Sequence, residues 1–545
     1  MTLEELYPID EVRRFLQQSG ASPISEDLSK LPTVLKKDSG EKWLLPVNWR
    51  LTKEIVVRFG ELYPDELPKI YLTSEFTIGL IPHVDQNLFV CSLRSDITIN
   101  PDNPVGVLRE CLLGAQGILD KEWTELEIQE HVESELKAYW PIQNGDLREI
   151  FYVPNILDKR FLWIEQPNYK SRIHKVVPLD DRGSAHQDGA VGVVVDVPSA
   201  DILALLKSPH SYLVASADAK DAIGRLGTRL APMSRNIKRT TLYIFFRCRL
   251  PKGDRILGAY SKQKLPIKRK TADEISSLLY RSMNDGNMGF CRVQDIGFER
   301  LIKRSQGTKV PNLSGLRIAI VGCGSLGSFL AESLARSGIC KYFLCDSELL
   351  QVENLGRHAC NIFYTDMNKA LAVRAWLKHR FEDIEITVSD TDFRLTKTLE
   401  ALEKFSPDLT IFATGSTNSD LTASRLVARG VLKTSCYVWA ETDLVAGHLI
   451  FQPQGTESLL LNLHSIPEDK GQYAHRVNKN VENNLEQEAG CQTIYSPYSG
   501  NDMALFASMV AKCIVSWILD SNKAPEVLRV ELKSINIWGR LYDPS

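Results

Sequence analysis

The chain is predicted to be an α/β protein. Its C-terminal half reads as a doubly wound parallel sheet, preceded by an α+β domain and a mixed α/β linker domain. Three observations carry this expectation. An apolar strand at 318–321 runs into Gly322, Gly324 and Gly327, and a helical pattern over 328–337 follows at once. Strand-like runs at 341–345, 385–388 and 409–413 then alternate with helical stretches, the rhythm of a doubly wound sheet. Ahead of them, residues 1–155 place extended runs first and helices last, the order of an α+β domain.

Size and composition bound the rest. A length of 545 residues at about 150 residues per domain suggests about three to four domains; borders are drawn at 1–155, 156–300 and 301–545. Apolar content of 43% and charged content of 24% are ordinary for a globular protein. A net charge of −3 supplies no basic field for direct nucleic-acid binding. The N-terminus, MTLEELYPIDEV, is acidic and unlike a signal peptide. No apolar run is read as reaching the ~18–20 residues that cross a bilayer, so a cytoplasmic protein without membrane contact is expected. The 11 cysteines are scattered without a C-x-x-C pair, which argues against a zinc ribbon and a disulfide framework.

In chain order, the first domain reads as a helix over 2–18, extended runs at 43–47, 55–59 and 69–72, and a turn-rich segment through Cys91. Helices over 104–118 and 121–140 complete it. The second shows β-like runs at 160–164, 191–197, 211–215 and 240–249, then a helix over 271–283. Its basic, turn-rich segment 252–270 reads as a solvated surface.

The glycine stretch is a phosphate cradle. Glycines permit a tight turn and close backbone approach, and the helix start offers unpaired N–H groups to an anion. Asp346, ending the second strand, stands where an acid would hold a ribose. A dehydrogenase would need no more than this. The residues that follow, Asn354-Leu-Gly-Arg357 and then Lys369 at the start of the next helix, add two cations near the phosphates. Such cations suit a transferring adenylyl group and its pyrophosphate, whereas hydride transfer has no use for them. The competing reading makes Arg357 and Lys369 surface residues.

Over residues 300–545 the chain resembles the ThiF/MoeB/HesA family, the Rossmann-like adenylating fold of ubiquitin-activating enzymes. The resemblance implies ATP and Mg²⁺, a homodimer or pseudodimer, and adenylation of a protein's C-terminal carboxylate. It casts Asp346 as the ribose ligand and Asn354, Arg357 and Lys369 as phosphate-binding and catalytic residues. Glu348 stands where the family has a second Asp. The family's magnesium acid follows the fourth strand, but here the chain reads Phe412-Ala-Thr-Gly415-Ser-Thr-Asn418-Ser-Asp420. The metal ligand therefore stays unassigned, with Asp420 a displaced candidate.

Two cysteines differ from the others. Cys491 follows a polar stretch over 468–490 and precedes an apolar helix, a loop position from which a thiolate can reach an adenylate. Cys91 follows Tyr63-Pro64 and His83-Val84-Asp85. That context resembles the ubiquitin-conjugating fold, in which His-Pro-Asn precedes the active cysteine. His83 matches; Val84 and Asp85 depart. An ionised Asp85 cannot donate to an oxyanion and is considered instead as a base toward an incoming lysine. For both cysteines the alternative is a structural thiol. Cys323, Cys340, Cys345 and Cys360 read as core.

A conjugating-like domain, a linker and an activating-like domain together resemble the fused activating–conjugating enzymes of bacterial CBASS antiphage operons. The resemblance implies a relay: adenylation in the cradle, a thioester on Cys491, transfer to Cys91, and an amide on an acceptor lysine. The carried protein would be a CD-NTase-like nucleotidyltransferase, or a ubiquitin-like protein in related operons. Sulfur-carrier activation, nicotinamide-dependent redox chemistry and a non-enzymatic scaffold are the rivals.

Overall fold

The computed structural model describes residues 8–25, 29–36, 38–61, 63–64, 66–73, 81–85, 87–93, 99–140, 149–152, 154–165, 173–179, 189–251, 253–283, 287–302, 313–441, 444, 446–457, 460, 486–487, 494–495, 498–520 and 526–531. The chain divides into two compact units, Met1–Gln294 and Asp295–Ser545.

The first unit opens on helix Ile9–Gln18 and an antiparallel sheet whose five strands lie in chain order, from Ser22–Pro23 to Phe89–Val90. Strand Glu54–Phe59 shows why both sheet faces are covered. Ile55 and Val57 join Leu16, Ile70, Leu108 and Leu119 in one core, while Val56 packs with Leu31, Leu35 and Tyr71 in another. That is the period-two alternation of a strand used on both sides. Helix Pro104–Asp120 starts cleanly, with Pro104 in its first turn and the Asn103 side chain accepting the Gly106 amide at 2.9 Å. The run read as one helix over 121–140 is helix Glu125–Ser134 followed by the 3₁₀ turn Leu136–Tyr139. A capping box between Thr124 and Glu127 sets its start.

The rest of this unit is built on a closed seven-stranded barrel. Its order is Leu242–Cys248, Arg255–Ser261, Met288–Asp295, Glu149–Tyr152, Ile173–Pro178, Phe161–Glu165, Gly189–Val197. Glu149–Tyr152 lies ahead of the 155/156 border drawn from sequence. Two expectations are corrected here. Residues 211–215 form no strand but part of helix Pro209–Ala215, because Ser208 caps it and Pro209 occupies its first turn. Segment 252–270 is not all solvated surface: Arg255–Ser261 is a barrel strand, buried from Ile256 to Ser261. The lysines that gave it a surface character, Lys262, Lys264, Lys268 and Lys270, lie beyond that strand.

The second unit is a seven-stranded sheet in the order Glu385–Ser389, Lys341–Cys345, Arg317–Val321, Leu409–Phe412, Ser435–Ala440, Ala446–Gln452, Glu526–Glu531. The first five strands run parallel; Ala446–Gln452 pairs antiparallel to Ser435–Ala440, and Glu526–Glu531 pairs antiparallel to Ala446–Gln452. Both faces of the central strand are buried. Ile318 and Ile320 pack with Leu330 and Leu334; Ala319 and Val321 pack with Phe393, Leu402 and Val427. Helix Gly500–Leu519 corrects the expectation about apolar runs. It has 20 residues and is long and apolar enough to cross a bilayer. Its Phe506, Val510, Ile514 and Trp517 are instead core, with the Trp517 ring stacked on Phe451 at 4.5 Å.

Candidate functional site

Strand order reverses around Arg317–Val321, since the second strand lies on one side of it and the fourth on the other. A crevice therefore opens beyond the strands' carboxyl ends. It holds a cavity of about 780 Å³, lined by Gly322, Gly324, Asp346, Lys369 and Asp420 among others. Gly322 has φ +93°, a left-handed conformation, and its amide donates to the Cys345 carbonyl at 2.8 Å. A side chain on Gly327 would strike the Gly322 carbonyl, whereas one on Gly324 would meet nothing within 4 Å. Gly327 thus lets the helix pack onto the turn, and Gly324 leaves the mouth open. Helix Ser325–Arg336 begins there, with Gly324 as its N-cap and, among the described residues, no side-chain cap on its first amides.

Asp346 is tied to this turn. Its Oδ2 accepts the Cys323 amide at 2.7 Å and its Oδ1 the Glu348 amide at 2.8 Å. Burial, the largest influence, pushes its carboxyl above the ordinary carboxylate range, against those hydrogen bonds. Lys369 opens helix Lys369–Arg380, is buried, and pairs with the exposed Glu348 carboxylate. Arg357 and Asn354 are placed differently. Neither lines the cavity. Asn354 Oδ1 accepts the Gln351 amide at 3.1 Å, and the Arg357 guanidinium lies 5.4 Å from the centre of Tyr498, a ring that does line the cavity. The Arg357 carbonyl accepts from the Ser325 hydroxyl at the helix start.

Two residues without an assigned role in the sequence reading, His358 and Asn368, and the displaced magnesium candidate Asp420 complete the cradle. Buried His358 donates from Nε2 to the Cys323 carbonyl at 2.8 Å, while its Nδ1 accepts the Cys360 amide at 3.1 Å. Burial pushes it down to about 4, so it stays neutral and pins the glycine turn. Asn368 caps the Lys369 helix and donates to the Asp346 carbonyl at 2.7 Å, joining Lys369 to the end of the second strand. Asp420, 4% exposed, accepts from the Thr414 hydroxyl at 2.7 Å. Burial pushes its carboxyl up to about 7. The only signal for His358 and Asn368 was closeness in sequence to the motif, whereas Asp420 was legible as an acid after the fourth strand. Cys323, Cys345 and Cys360 are buried free thiols, as core residues should be, and Cys340 is half-buried.

The first unit carries the second candidate site. Residues 83–91 form a β-hairpin closed by the Val84–Val90 bridge, and the Cys91 amide donates to the His83 carbonyl at 2.8 Å. His83 and Cys91 are therefore brought opposite each other, with Cys91 exposed. Asp85 holds the turn itself: its Oδ1 accepts the Asn87 amide at 2.8 Å and the Phe89 amide at 2.9 Å. This structural task accounts for the acid at that position without a role toward lysine. Burial, and then the Glu135 and Asp85 carboxylates, push the Cys91 thiol above its ordinary value. Behind the hairpin, the His131 ring lies 4.2 Å from that of His83. Cys491 lies outside the described residues.

Residues 298–542 match the ThiF family model, so the C-terminal half of the chain is a ThiF domain. The chain is 39% identical over 70 residues to the ATP-dependent ubiquitin transferase-like protein Cap2 of Enterobacter hormaechei subsp. hoffmannii (strain UCI 50), covering 13% of this chain and 12% of that protein. It is 31% identical over 168 residues to a protein of the same description from Vibrio cholerae serotype O1, covering 30% of this chain and 27% of that one. Ubiquitin-like modifier-activating enzyme 5 of Caenorhabditis briggsae is 28% identical over 149 residues, 25% of this chain and 34% of that enzyme. The chain thus spans no more than 34% of the length of any of these relatives.

Proposed function

We propose that the chain is an ATP-dependent protein-conjugating enzyme in which a ThiF adenylation site feeds a cysteine relay. One observation carries this reading: a phosphate cradle with a buried lysine at its rim shares the chain with an exposed free cysteine opposite a histidine. In the first step a C-terminal carboxylate oxygen of a substrate protein attacks the α-phosphorus of ATP. A P–O bond forms, the bond to the bridging oxygen breaks, and pyrophosphate leaves. The open amides after Gly324 and the Lys369 ammonium meet the developing charge. Cys491 thiolate then displaces AMP from the acyl carbon, and Cys91 takes the acyl group by thiol exchange. An amine finally forms the amide and returns the thiol to Cys91.

A buried carboxyl near 7 with a hydroxyl partner is a group that a bound cation would favour in its ionised form, so Asp420 fits as a magnesium ligand. Magnesium would neutralise phosphate charge there. The carried protein is proposed to be a CD-NTase-like nucleotidyltransferase in cytoplasmic antiphage defence, as the resemblance to fused activating–conjugating enzymes implies. A ubiquitin-like or sulfur-carrier protein is the alternative cargo.

The test is thioester mapping. Cys491→Ala should abolish every thioester yet keep ATP–pyrophosphate exchange, and Cys91→Ala should leave only the Cys491 thioester. Conjugate formation unchanged in either variant overturns the relay. A sulfur-carrier activator would show exchange without an adduct on Cys91.

A further inference from the structure

Helix Glu125–Ser134 and the 3₁₀ turn after it place His131, Glu135 and Tyr139 four residues apart along one face. That face meets the hairpin carrying Cys91. The His83 amide donates to His131 Nε2 at 3.0 Å, across 48 residues of chain. His83 itself sits at φ +63°, in the left-handed region that a residue with a side chain enters at a cost. Its carbonyl in turn receives the Cys91 amide at 2.8 Å. A continuous line of hydrogen bonds thus runs from a helix side chain, through a strained backbone residue, to the amide of the exposed cysteine.

His83, His131 and Glu135 have ligand atoms within 4.8 Å of one another, a spacing a metal ion accepts. The hydrogen bond decides against that reading. His131 Nε2 already receives an amide hydrogen, and a cation directed at the same lone pair would face that N–H.

We propose that His131 is a positioning residue for Cys91, locking the left-handed His83 turn through its neutral Nε2 and so fixing the cysteine for acyl exchange. The proposal rests on the reading of Cys91 as an acyl carrier. Protonation would reverse the arrangement: an Nε2–H can no longer accept, and the Glu135 carboxylate lies 3.7 Å from the same nitrogen, ready to receive it. The His83 amide would then lose its acceptor. The ionisable groups facing His131 are His83 from the hairpin, Glu135 at the end of its own helix and Tyr139 from the 3₁₀ turn; from the hairpin side, Cys91 and Asp85 act on Tyr139. Burial and the neighbouring His83 hold His131 below its ordinary 6.5, so the locked form prevails at neutral pH.

The experiment uses the full chain and a short glycyl-peptide thioester as acyl donor, with uptake on Cys91 followed by peptide mapping. His131→Ala should slow uptake by roughly tenfold or more, the scale of a misplaced reacting group. His131→Gln, whose amide oxygen can accept near the Nε2 position without titrating, should restore the rate at pH 7.5. The ratio of wild-type to Gln-variant rates cancels ionisation of the thiol itself and should fall as the pH drops below 6.5. Equal rates in wild type and His131→Ala, or a ratio flat with pH, would overturn the positioning role. Absence of uptake on wild-type Cys91 would instead sink the conjugating reading itself, and this proposal with it.

Discussion

The phosphate cradle of the C-terminal unit is made of backbone, whereas the Cys91 hairpin of the N-terminal unit is held by side chains. In the cradle, Gly322, Gly324 and Gly327 shape a turn that opens onto the cavity, and Asp346 and His358 clamp it through backbone groups. At the hairpin, Asp85 closes the turn and His131 reaches it across 48 residues of sequence. The difference teaches what each site can tolerate. A backbone site fails when a Cβ is added at Gly322 or Gly327, where it would strike other peptide groups that have nowhere to move. A side-chain scaffold loses one hydrogen bond at a time.

Four substitutions test this contrast. The largest effect is expected at Lys369: Lys369→Ala should reduce ATP–pyrophosphate exchange by about 10²–10³-fold, the scale of removing one transition-state donor. An unchanged exchange rate would remove Lys369 from the site. Next is Asp420→Asn. A carboxyl raised from 3.8 to about 7 on folding favours the folded state fully below pH 3.8. That contribution is lost as the pH rises through about 7. The Asn variant should therefore be more stable than wild type at pH 8 without magnesium, by an amount on the order of 3 kcal/mol. It should also lose magnesium-dependent thermal stabilisation. A variant no more stable than wild type would contradict the burial argument.

Gly327→Ala forces a methyl against the Gly322 carbonyl and should cost roughly 2–3 kcal/mol in denaturant titration, with loss of nucleotide binding. Asp85→Ala should cost only about 1 kcal/mol and leave Cys91 acylation within about twofold. Equal costs at Gly327 and Asp85 would erase the difference between the two scaffolds.

Legibility follows the same division. Strand, glycine turn, helix and Asp346 were readable because each step is local: apolar run, conformationally free residues, helical period. Lys369 was readable as a helix-opening cation for the same reason. The orientation of Asn354 and Arg357 was not, since side chains three residues apart on one 3₁₀ stretch can face the cavity or turn away together. The barrel was not readable either. Its strand Glu149–Tyr152 has only 4 residues and pairs with Ile173–Pro178 across a gap that no periodicity reports. Lysines flanking Arg255–Ser261 made a buried strand look like surface. The 20-residue helix Gly500–Leu519 was underestimated because Asp502 and Lys512 interrupt its apolar pattern.

By itself the sequence determined the alternation of strands and helices in the C-terminal half, the glycine cradle and the acid at its second strand. All of these depend on residue type and on separations of a few residues. Only the tertiary structure decided which groups surround the cradle and the cysteine. Asp420 becomes a carboxyl near 7, His358 a neutral clamp and His131 the acceptor for a strained turn because burial and partners distant in sequence set their charge and hydrogen bonding. Those properties belong to the packed environment, and no residue carries them alone.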